Sequence, residues 1–344
     1  MNDNQWNTLL SVVRGEAVRP LSAGFIIDSP WLPNWAGRTI LDYFTDEKAF
    51  LEDNFKAIRT FPRAIFLPGF WSEYGMCTEP SAFGAVPVWE EDIFPFAKKV
   101  LYSANEIARL EKPNPRKDGL LPFVIKRLKH AQGEIEKAGH KIRFAVARGP
   151  LNICAFLMGT TEFLTGLKTE PELMHQLLTT VTDFLVDWIA YQRECFPTID
   201  GVFLLDDIVG FVSRRDFETF GFPYLKQAFS ADVTLKFFHN DAPCKSCAPM
   251  LADAGINLLN FGVQHTLAEM KAWTNNKIAL MGNLPPRDVL AAGTPADVKR
   301  GTTDMLAPLE DRSRLIVSCG GGMPPGAPTA NIEALISTVE ELTY

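Results

Sequence analysis

Short apolar runs rich in β-branched and aromatic residues recur along the chain, with stretches of helical periodicity between them. Residues 202–205, 278–281 and 315–317 are almost continuously apolar. Strands that are buried on both faces of a parallel sheet have this pattern. The alternation of such strands with helices predicts an α/β protein built around a parallel sheet.

Eight runs qualify as strands of this sheet. They are residues 24–28, 64–68, 141–147, 201–205, 234–239, 256–261, 277–282 and 314–319. Eight strand-helix units in a chain of 344 residues are typical of a (β/α)8 barrel of the TIM type. We therefore predict one α/β barrel domain over residues 1–344, with an N-terminal extension before the first strand.

Helix signals occupy the intervals between the predicted strands. The segments Thr169-Glu170-Pro171 and Thr294-Pro295 each place a threonine cap before a proline in a first helical turn, and they predict helices over 173–190 and 298–306. The interval 69–140 is longer than an ordinary connection. It predicts an extended loop over the barrel mouth at 69–96, followed by a helix with a proline-rich interruption at 112–116.

Composition and charge narrow the function classes. The chain is 47% hydrophobic and 22% charged, as expected of a globular protein with a large core. A net charge of −7 without a long basic block argues against nucleic-acid binding. No secretory signal and no run of about 18 apolar residues is visible. We expect a cytoplasmic protein with no membrane or nucleic-acid partner and with reduced cysteines, and a homodimer is compatible with the sequence.

Polar or glycine-rich clusters follow five of the eight predicted strands. Polar residues at the carboxyl ends of barrel strands point into the active site. Adjacent carboxylates raise each other's pKa, which suits acid–base catalysis, but neighbouring strand residues face opposite ways, so only one of Asp206 and Asp207 should enter the site. The clusters are Asp28, Asp206-Asp207, His239-Asn240-Asp241, Gly282-Asn283 and Cys319-Gly320-Gly321-Gly322. We predict Asp206, Asp207 and Asn283 as catalytic residues.

The second half of the chain resembles the uroporphyrinogen decarboxylase superfamily, which also contains zinc-dependent methyltransferases that act with corrinoid proteins and with coenzyme M or folate-type acceptors. The resemblance implies the barrel fold and an enzyme that is either a methyltransferase or a carboxy-lyase. The segments that carry it are 149–159, Asp206-Asp207 with 217–224, His239-x-Asp241, 282–295 and 319–331.

The methyltransferase branch of this superfamily binds zinc through a His-x-Cys pair and a later cysteine of the glycine-rich turn. At the matching positions this chain has His239, Asp241 in place of the first cysteine, and Cys319. Imidazole, carboxylate and thiolate are all zinc ligands. The resemblance therefore implies a divalent metal, zinc first, that deprotonates a thiol. Glu79 in the loop at 69–96 is a further candidate ligand, with a solvated loop carboxylate as its alternative. The resemblance also implies a corrinoid on a partner protein, or a folate, as methyl carrier.

Residues 31–38 are similar to the decarboxylase segment whose arginines hold the acidic side chains of a tetrapyrrole, but Asn34 replaces the first arginine. The loop at 69–96 adds aromatic rings, whose faces attract sulfonium or quaternary cations. The predicted substrate-binding residues are Asp28, Trp31, Arg38, Trp71 and Tyr74. Each of the singled-out residues has a structural alternative: Arg38 as a salt-bridge partner, Trp71 and Tyr74 as packing at the barrel rim, Cys319 as a core filler and Asn283 as part of a turn.

A metal-dependent methyltransferase acting on a small methylated substrate is the leading hypothesis. The first alternative is a cofactor-free decarboxylase of a tetrapyrrole or other acidic substrate, in which Asp28 or Asp206 stabilises a cationic intermediate. The second is a non-catalytic barrel that binds a small ligand or a corrinoid carrier. Cys244 and Cys247 form a Cys-x-x-Cys pair without a second such pair, and we interpret them as the first turn of a helix.

Overall fold

A computed structural model describes residues 1–27 and 30–342. Its main sheet contains eight strands, and every pairing between them is parallel. The strands are β1 (Ser22–Ile26), β2 (Ile65–Leu67), β3 (Phe144–Arg148), β4 (Gly201–Leu205), β5 (Leu235–Asn240), β6 (Leu258–Phe261), β7 (Ala279–Leu284) and β8 (Leu315–Cys319). Their order in the sheet is β2-β1-β8-β7-β6-β5-β4-β3. The sheet curls as in a (β/α)8 barrel, so the predicted fold class is confirmed.

All eight predicted strands are present, although several bounds differ. β3 begins at Phe144 and not at residue 141, and β7 runs on to Leu284. β4 has the predicted bounds. Its residues Val202 and Leu204 are as apolar as its inward residue Phe203, as expected of a strand covered on both faces.

Helices lie around the sheet and at its ends. They are Asp3–Arg14, Leu32–Ala36, Ile40–Thr45, Glu47–Thr60, Thr78–Ala82, Leu121–Lys137, Pro150–Met158, Thr160–Thr169, Pro171–Cys195, Arg214–Asp216, Phe222–Ala228, Ala248–Leu251, Leu267–Trp273, Pro295–Leu306 and Thr329–Glu341. Short 3₁₀ turns occupy Ala104–Arg109 and Ile208–Phe211, and π-helical turns occupy Phe217–Gly221 and Pro286–Ala291.

One of the two predicted helix caps is present. Thr169 is not a cap, because it ends helix Thr160–Thr169 and Glu170 is the N-cap residue of the next helix. Pro171 opens a helix that continues to Cys195, beyond the predicted end at residue 190. Thr294 caps the helix at Pro295 and forms a reciprocal capping box with Asp297. No helix within the described ranges is both long enough and apolar enough to cross a bilayer.

The interval between β2 and β3 contains the predicted loop and more local structure than expected. Helix Thr78–Ala82 and an antiparallel ribbon of Pro87–Val88 with Phe96–Ala97 lie within it. The 3₁₀ turn Ala104–Arg109 precedes the proline-rich stretch, and helix Leu121–Lys137 follows it.

Two apolar layers follow from the alternation of side chains along each strand. The inner layer fills the barrel and includes Phe144, Phe203 and Phe237, whereas the outer layer lies between the sheet and its helices. Helix Asp3–Arg14 belongs to the inner layer, since Trp6 packs edge-on against Phe144 with ring centroids 5.6 Å apart. This helix therefore closes the amino ends of the strands and leaves the carboxyl ends for a site.

Candidate active site at the carboxyl ends of the strands

His239 lies at the end of β5 and follows Leu235 and Phe237 on the inner face of the barrel. Its side chain is 7% exposed. The ring atom Nε2 is 3.8 Å from Asp207 Oδ1 and 3.7 Å from Asp241 Oδ2. The imidazole is thus nearly buried and faces two carboxylates on one side.

Asn260 of β6 contacts the other ring nitrogen of His239. Its Oδ1 is 2.7 Å from His239 Nδ1, and its Nδ2 donates to the carbonyl oxygen of Met281 at 2.9 Å. Sequence analysis did not single out Asn260. The signal that marks it is a lone polar residue at an inward position of the otherwise apolar strand β6.

The neighbouring carboxylates Asp206 and Asp207 have different positions. Asp206 is fully buried and accepts hydrogen bonds from the backbone N–H groups of Leu151 (2.8 Å) and Asn152 (3.1 Å), so it caps helix Pro150–Met158. Burial raises the pKa of Asp206 to about 8, while these N–H groups act to lower it. Contrary to its predicted catalytic role, Asp206 faces a helix and not the mouth, because strand residues alternate.

Asp207 and Asp241 form the polar wall of the site. Asp207 Oδ1 accepts a hydrogen bond of 2.7 Å from the backbone N–H of Asp241. The two side chains are 40% and 50% exposed, respectively, so a ligand in the mouth can reach both. Partial burial is the main cause that raises the pKa of Asp241; His239 lowers it, and the Asp207 carboxylate raises it further.

The glycine-rich turn after β8 lies against Asp241. Gly321 has a φ of +78°, and a Cβ placed there would be 2.5 Å from Asp241 Oδ1. Only glycine therefore fits this close approach without displacing the carboxylate.

Cys319 belongs to a different layer from His239. Within β8, Cys319 has the same facing as Leu315 and Val317, which lie in the outer layer, whereas Ile316 lies in the inner one. The Cys319 thiol is fully buried and lies 3.8 Å from the carbonyl oxygen of Gly321. The alternation of the strand thus gives Cys319 the position of a core side chain.

The predicted metal ligands do not form a ready metal site. Across residues 1–27 and 30–342, no group of three or more His, Cys, Asp or Glu side chains is arranged to hold a metal ion. His239 and Asp241 are adjacent, but Cys319 does not complete a ligand set with them. Glu79 is buried in another contact, where its Oε1 is 3.3 Å from the backbone nitrogen of Arg148. Zinc binding stays a prediction, and no chemical step below depends on it.

The NH₂ group of Asn283 holds a loop. Its Nδ2 donates to the carbonyl oxygens of Gly262 (3.0 Å) and His265 (2.7 Å). Both amide hydrogens are therefore used by the connection after β6. This position differs from the predicted catalytic one and matches the alternative of a structural turn residue.

Arg38 is held by carboxylates of helix Glu47–Thr60. Its guanidinium pairs with Glu52 and donates from Nε to Asp53 Oδ1 at 3.1 Å. Asp46, the N-cap of that helix, lies 3.9 Å away. The structural alternative for Arg38, a salt-bridge partner, is the one that these contacts match.

Trp31 is buried and joins the segment after β1 to the segment before the last helix. Its Nε1 donates to the carbonyl oxygen of Ala327 at 3.1 Å, and its ring stacks on Trp35 at 5.0 Å. Both contacts lie within the core. Asp28, the remaining predicted ligand-binding residue from this segment, lies outside the described residues.

Trp71 and Tyr74 pack into the walls of the site. Trp71 lies edge-on to Phe203 at 5.8 Å and covers the guanidinium of Arg148 at 5.3 Å. Tyr74 contacts Phe44 and the exposed ring of Trp89. Trp71 therefore covers the apolar interior of the barrel at the carboxyl ends of the strands.

Arg148 and Glu73 form a buried ion pair next to Trp71 that the sequence did not predict. Arg148, the last residue of β3, donates to Glu73 Oε2 at 2.7 Å, and both side chains are almost fully buried. Burial is also the main cause that raises the pKa of the neighbouring Glu79. The arginine charge is thus compensated inside the protein.

Cys244 and Cys247 lie in the turn that leads into helix Ala248–Leu251, just before the predicted position in its first turn, and Cys247 is the N-cap residue. Cys247 N–H donates to the carbonyl oxygen of Cys244, as in a helical turn. The Nδ2 group of Asn240 is 3.3 Å from the Cys244 sulfur. Both thiols are buried behind the end of β5.

Comparison with known proteins gives a consistent family. The family model described as uroporphyrinogen decarboxylase matches residues 34–342. The uroporphyrinogen decarboxylase of Synechococcus sp. (strain JA-3-3Ab) is 24% identical over 351 residues, covering 96% of this chain and 94% of that protein. The one from Chlorobaculum tepidum is 25% identical over 241 residues, covering 66% and 67%. Among solved structures, a methyltransferase from Methanosarcina mazei aligns over 99% of both chains with a TM-score of 0.83 at 18% identity, which shows a shared fold.

Proposed function

Because this chain belongs to the uroporphyrinogen decarboxylase family, we propose that it is an enzyme of the methyltransferase type, which transfers a methyl group between a small methylated molecule and a thiol, a corrinoid or a folate. The observation that carries this proposal is His239, whose Nε2 faces the mouth between Asp207 and Asp241. The fold shared with a methyltransferase from Methanosarcina mazei supports it.

The polar wall of the site suits activation of a thiol. Nε2 of neutral His239 takes the proton from the S–H group, and the sulfur, now anionic, attacks the methyl carbon of the donor. The bond from that carbon to its former partner breaks, and its electron pair stays with that partner. Asp207 and Asp241 stabilise the imidazolium that forms, because opposite charges within about 4–6 Å favour each other.

The charge balance of the site favours a small substrate over a tetrapyrrole with many carboxylates. Arg38 is paired with Glu52 and Asp53, and Arg148 is paired with Glu73. Asp207 and Asp241 add negative charge at the mouth itself. A tetrapyrrole with many carboxylates would meet strong repulsion from these two carboxylates.

The test is methyl transfer by the purified protein. Methylcobalamin is supplied with coenzyme M, and separately with a folate acceptor, and loss of the methyl–cobalt absorbance is followed. We expect turnover, and the variant His175→Gln, a histidine on helix Pro171–Cys195 far along the chain from β5, should retain it. Ligand-induced stabilisation without any turnover would instead support a non-catalytic binding barrel.

Metal content is measured on the same preparation without chelators. One equivalent of zinc that is lost in His239→Ala would support the predicted metal-dependent form of the reaction. Full activity in metal-free protein would leave His239 as the thiol base and remove the metal from the proposal.

A decarboxylase remains the second candidate, since the uroporphyrinogen decarboxylase of Synechococcus sp. (strain JA-3-3Ab) aligns with 96% of this chain. Incubation with uroporphyrinogen and measurement of released carbon dioxide separates the two functions. Release of carbon dioxide together with no methyl transfer would overturn the methyltransferase proposal.

A further inference from the structure

Asn260 joins three strands inside the barrel. Its side chain is fully buried, with Oδ1 at 2.7 Å from His239 Nδ1 of β5. On the other side its Nδ2 points to two backbone carbonyl oxygens, at 2.9 Å from Met281 on β7 and at 3.5 Å from Cys319 on β8. No water is needed to satisfy this amide group.

These contacts fix which way round the amide lies. A carbonyl oxygen accepts only, so the two carbonyls require the NH₂ group of Asn260 on their side. Turning the amide over would place its oxygen against the Met281 and Cys319 oxygens, and this replaces hydrogen bonds by repulsive contacts between acceptors in a buried place. The oxygen of Asn260 must therefore face the imidazole.

An oxygen at hydrogen-bond distance from Nδ1 requires a proton on Nδ1. We propose that Asn260 is a positioning residue that holds the neutral form of His239 as the Nδ1–H tautomer, so that Nε2 presents a lone pair to the mouth. The partner of one ring nitrogen sets the state of the other. The bare lone pair lies between Asp207 and Asp241 and accepts a hydrogen from a donor group of a ligand, such as a thiol or a hydroxyl.

The tautomer of His239 does not depend on the proposed function, whereas its role in deprotonating a thiol rests on that function. If the site instead binds a ligand without chemistry, Asn260 still sets the tautomer and only the catalytic consequence is lost. The experiment has one arm for each statement.

The first arm is NMR of the histidine rings in protein labelled with ¹⁵N. The chain has five histidines, and His239→Gln identifies the signals of His239. At a pH where this ring is neutral, two-bond and three-bond couplings should show a protonated Nδ1. In Asn260→Leu the acceptor is gone, and the ring should move toward the Nε2–H form that free imidazole side chains prefer. Asn260→Asp keeps the acceptor oxygen beside Nδ1 and, with its second carboxyl oxygen protonated, also keeps a donor to Met281, so it should keep the Nδ1–H form.

Asn257→Leu is the matched control. Asn257 lies just before β6, and its amide bonds Lys236 N–H and Thr234 oxygen, both at 2.8 Å, at the opposite end of the same strands. This variant should leave the His239 signals unchanged. A protonated Nε2 in the unmodified protein, or unchanged signals in Asn260→Leu, would overturn the proposal. The spectrum of the unmodified protein decides the question even if Asn260→Leu does not fold.

The second arm is methyl transfer. Asn260→Leu should lower kcat at least about 10-fold with a smaller effect on KM, since the base is present but carries its proton on the wrong nitrogen, and Asn260→Asp should recover part of the loss. An altered tautomer with unchanged kcat would show that Nε2 does not take the proton. No turnover in any form, with the expected tautomer, would refute the proposed function and leave the role of Asn260 intact.

Discussion

The same strands form both ends of the barrel, but their side chains are apolar at the amino end and polar at the carboxyl end. At the amino ends, Phe144 and Leu235 pack beneath Trp6 of helix Asp3–Arg14. At the carboxyl end of the same strand as Leu235, His239 faces two partly exposed carboxylates. The apolar end excludes water and the polar end admits it, although both are built from inward residues of the same strands. The direction of the strands thus separates the part of the protein that stabilises it from the part that reacts.

The largest effect is expected from a substitution at the polar end of the barrel. His239→Gln removes the proton acceptor of the proposed reaction, and we expect kcat for methyl transfer to fall by about 10²- to 10⁴-fold. The midpoint of urea unfolding should change little, because glutamine retains a polar group next to Asn260. Activity within a few fold of the original would contradict the assigned role.

The next effect belongs to the apolar end. Trp6→Ala removes a large buried ring from the inner layer, and we expect the free energy of unfolding to fall by about 3–5 kcal/mol. The fraction that is still folded should turn over normally, since the helix is at the far end of the strands. A matched loss of kcat in folded protein would show that the two ends are coupled.

A smaller effect, dependent on pH, concerns Asp206 on the outer face. Its pKa is raised in the folded state from the ordinary 3.8 to about 8, so its contribution to stability is complete below about pH 4 and is lost as the pH rises through about 8. Asp206→Asn cannot accept from both Leu151 and Asn152, which costs about 1–2 kcal/mol at acid pH, where the original side chain is protonated in both states. The advantage of the original protein over the variant should therefore shrink as the pH rises from about 4 to about 8 in urea titrations. A constant difference would contradict the raised pKa.

The smallest effect on the reaction is expected at the rim. Arg38→Gln breaks an exposed pair with Glu52 and a pair with the buried carboxylate of Asp53, and we expect about 1–3 kcal/mol of lost stability because Asp53 loses its partner. Since these carboxylates occupy the guanidinium, the KM for the methylated substrate should stay within about twofold. A tenfold rise in KM would restore Arg38 as a substrate ligand and move the binding site toward the N-terminal segment.

The fold was predictable from the chain because its strands are covered on both faces. Runs such as 202–205 and 315–317 are continuously apolar, and each marks a strand. The mouth was predictable to the extent that His239 lies near the end of β5 and Asp207 is the second residue after β4. Strand position alone located these groups without any knowledge of their neighbours.

The partners of these residues were not predictable, because they come from distant parts of the chain. Nothing near Asn260 in sequence shows that it meets His239, and nothing near Arg148 shows that it meets Glu73. Cys319 illustrates a second limit. It ends an apolar strand as His239 does, but its facing follows Leu315 and Val317, and the count of residues along β8 decides this more than the glycines after it.

The contrast between Asp206 and Asp207 has a consequence for comparing relatives. At 24% identity few residues decide where an alignment places a gap. A shift of one position after β4 would align Asp206, which caps a helix, with a residue that lines the mouth in a relative. Two proteins with different active-site acids would then be aligned as if their acids were equivalent. Superposing the end of β4 and the start of helix Pro150–Met158 identifies the equivalent acids more safely than the sequence alignment does.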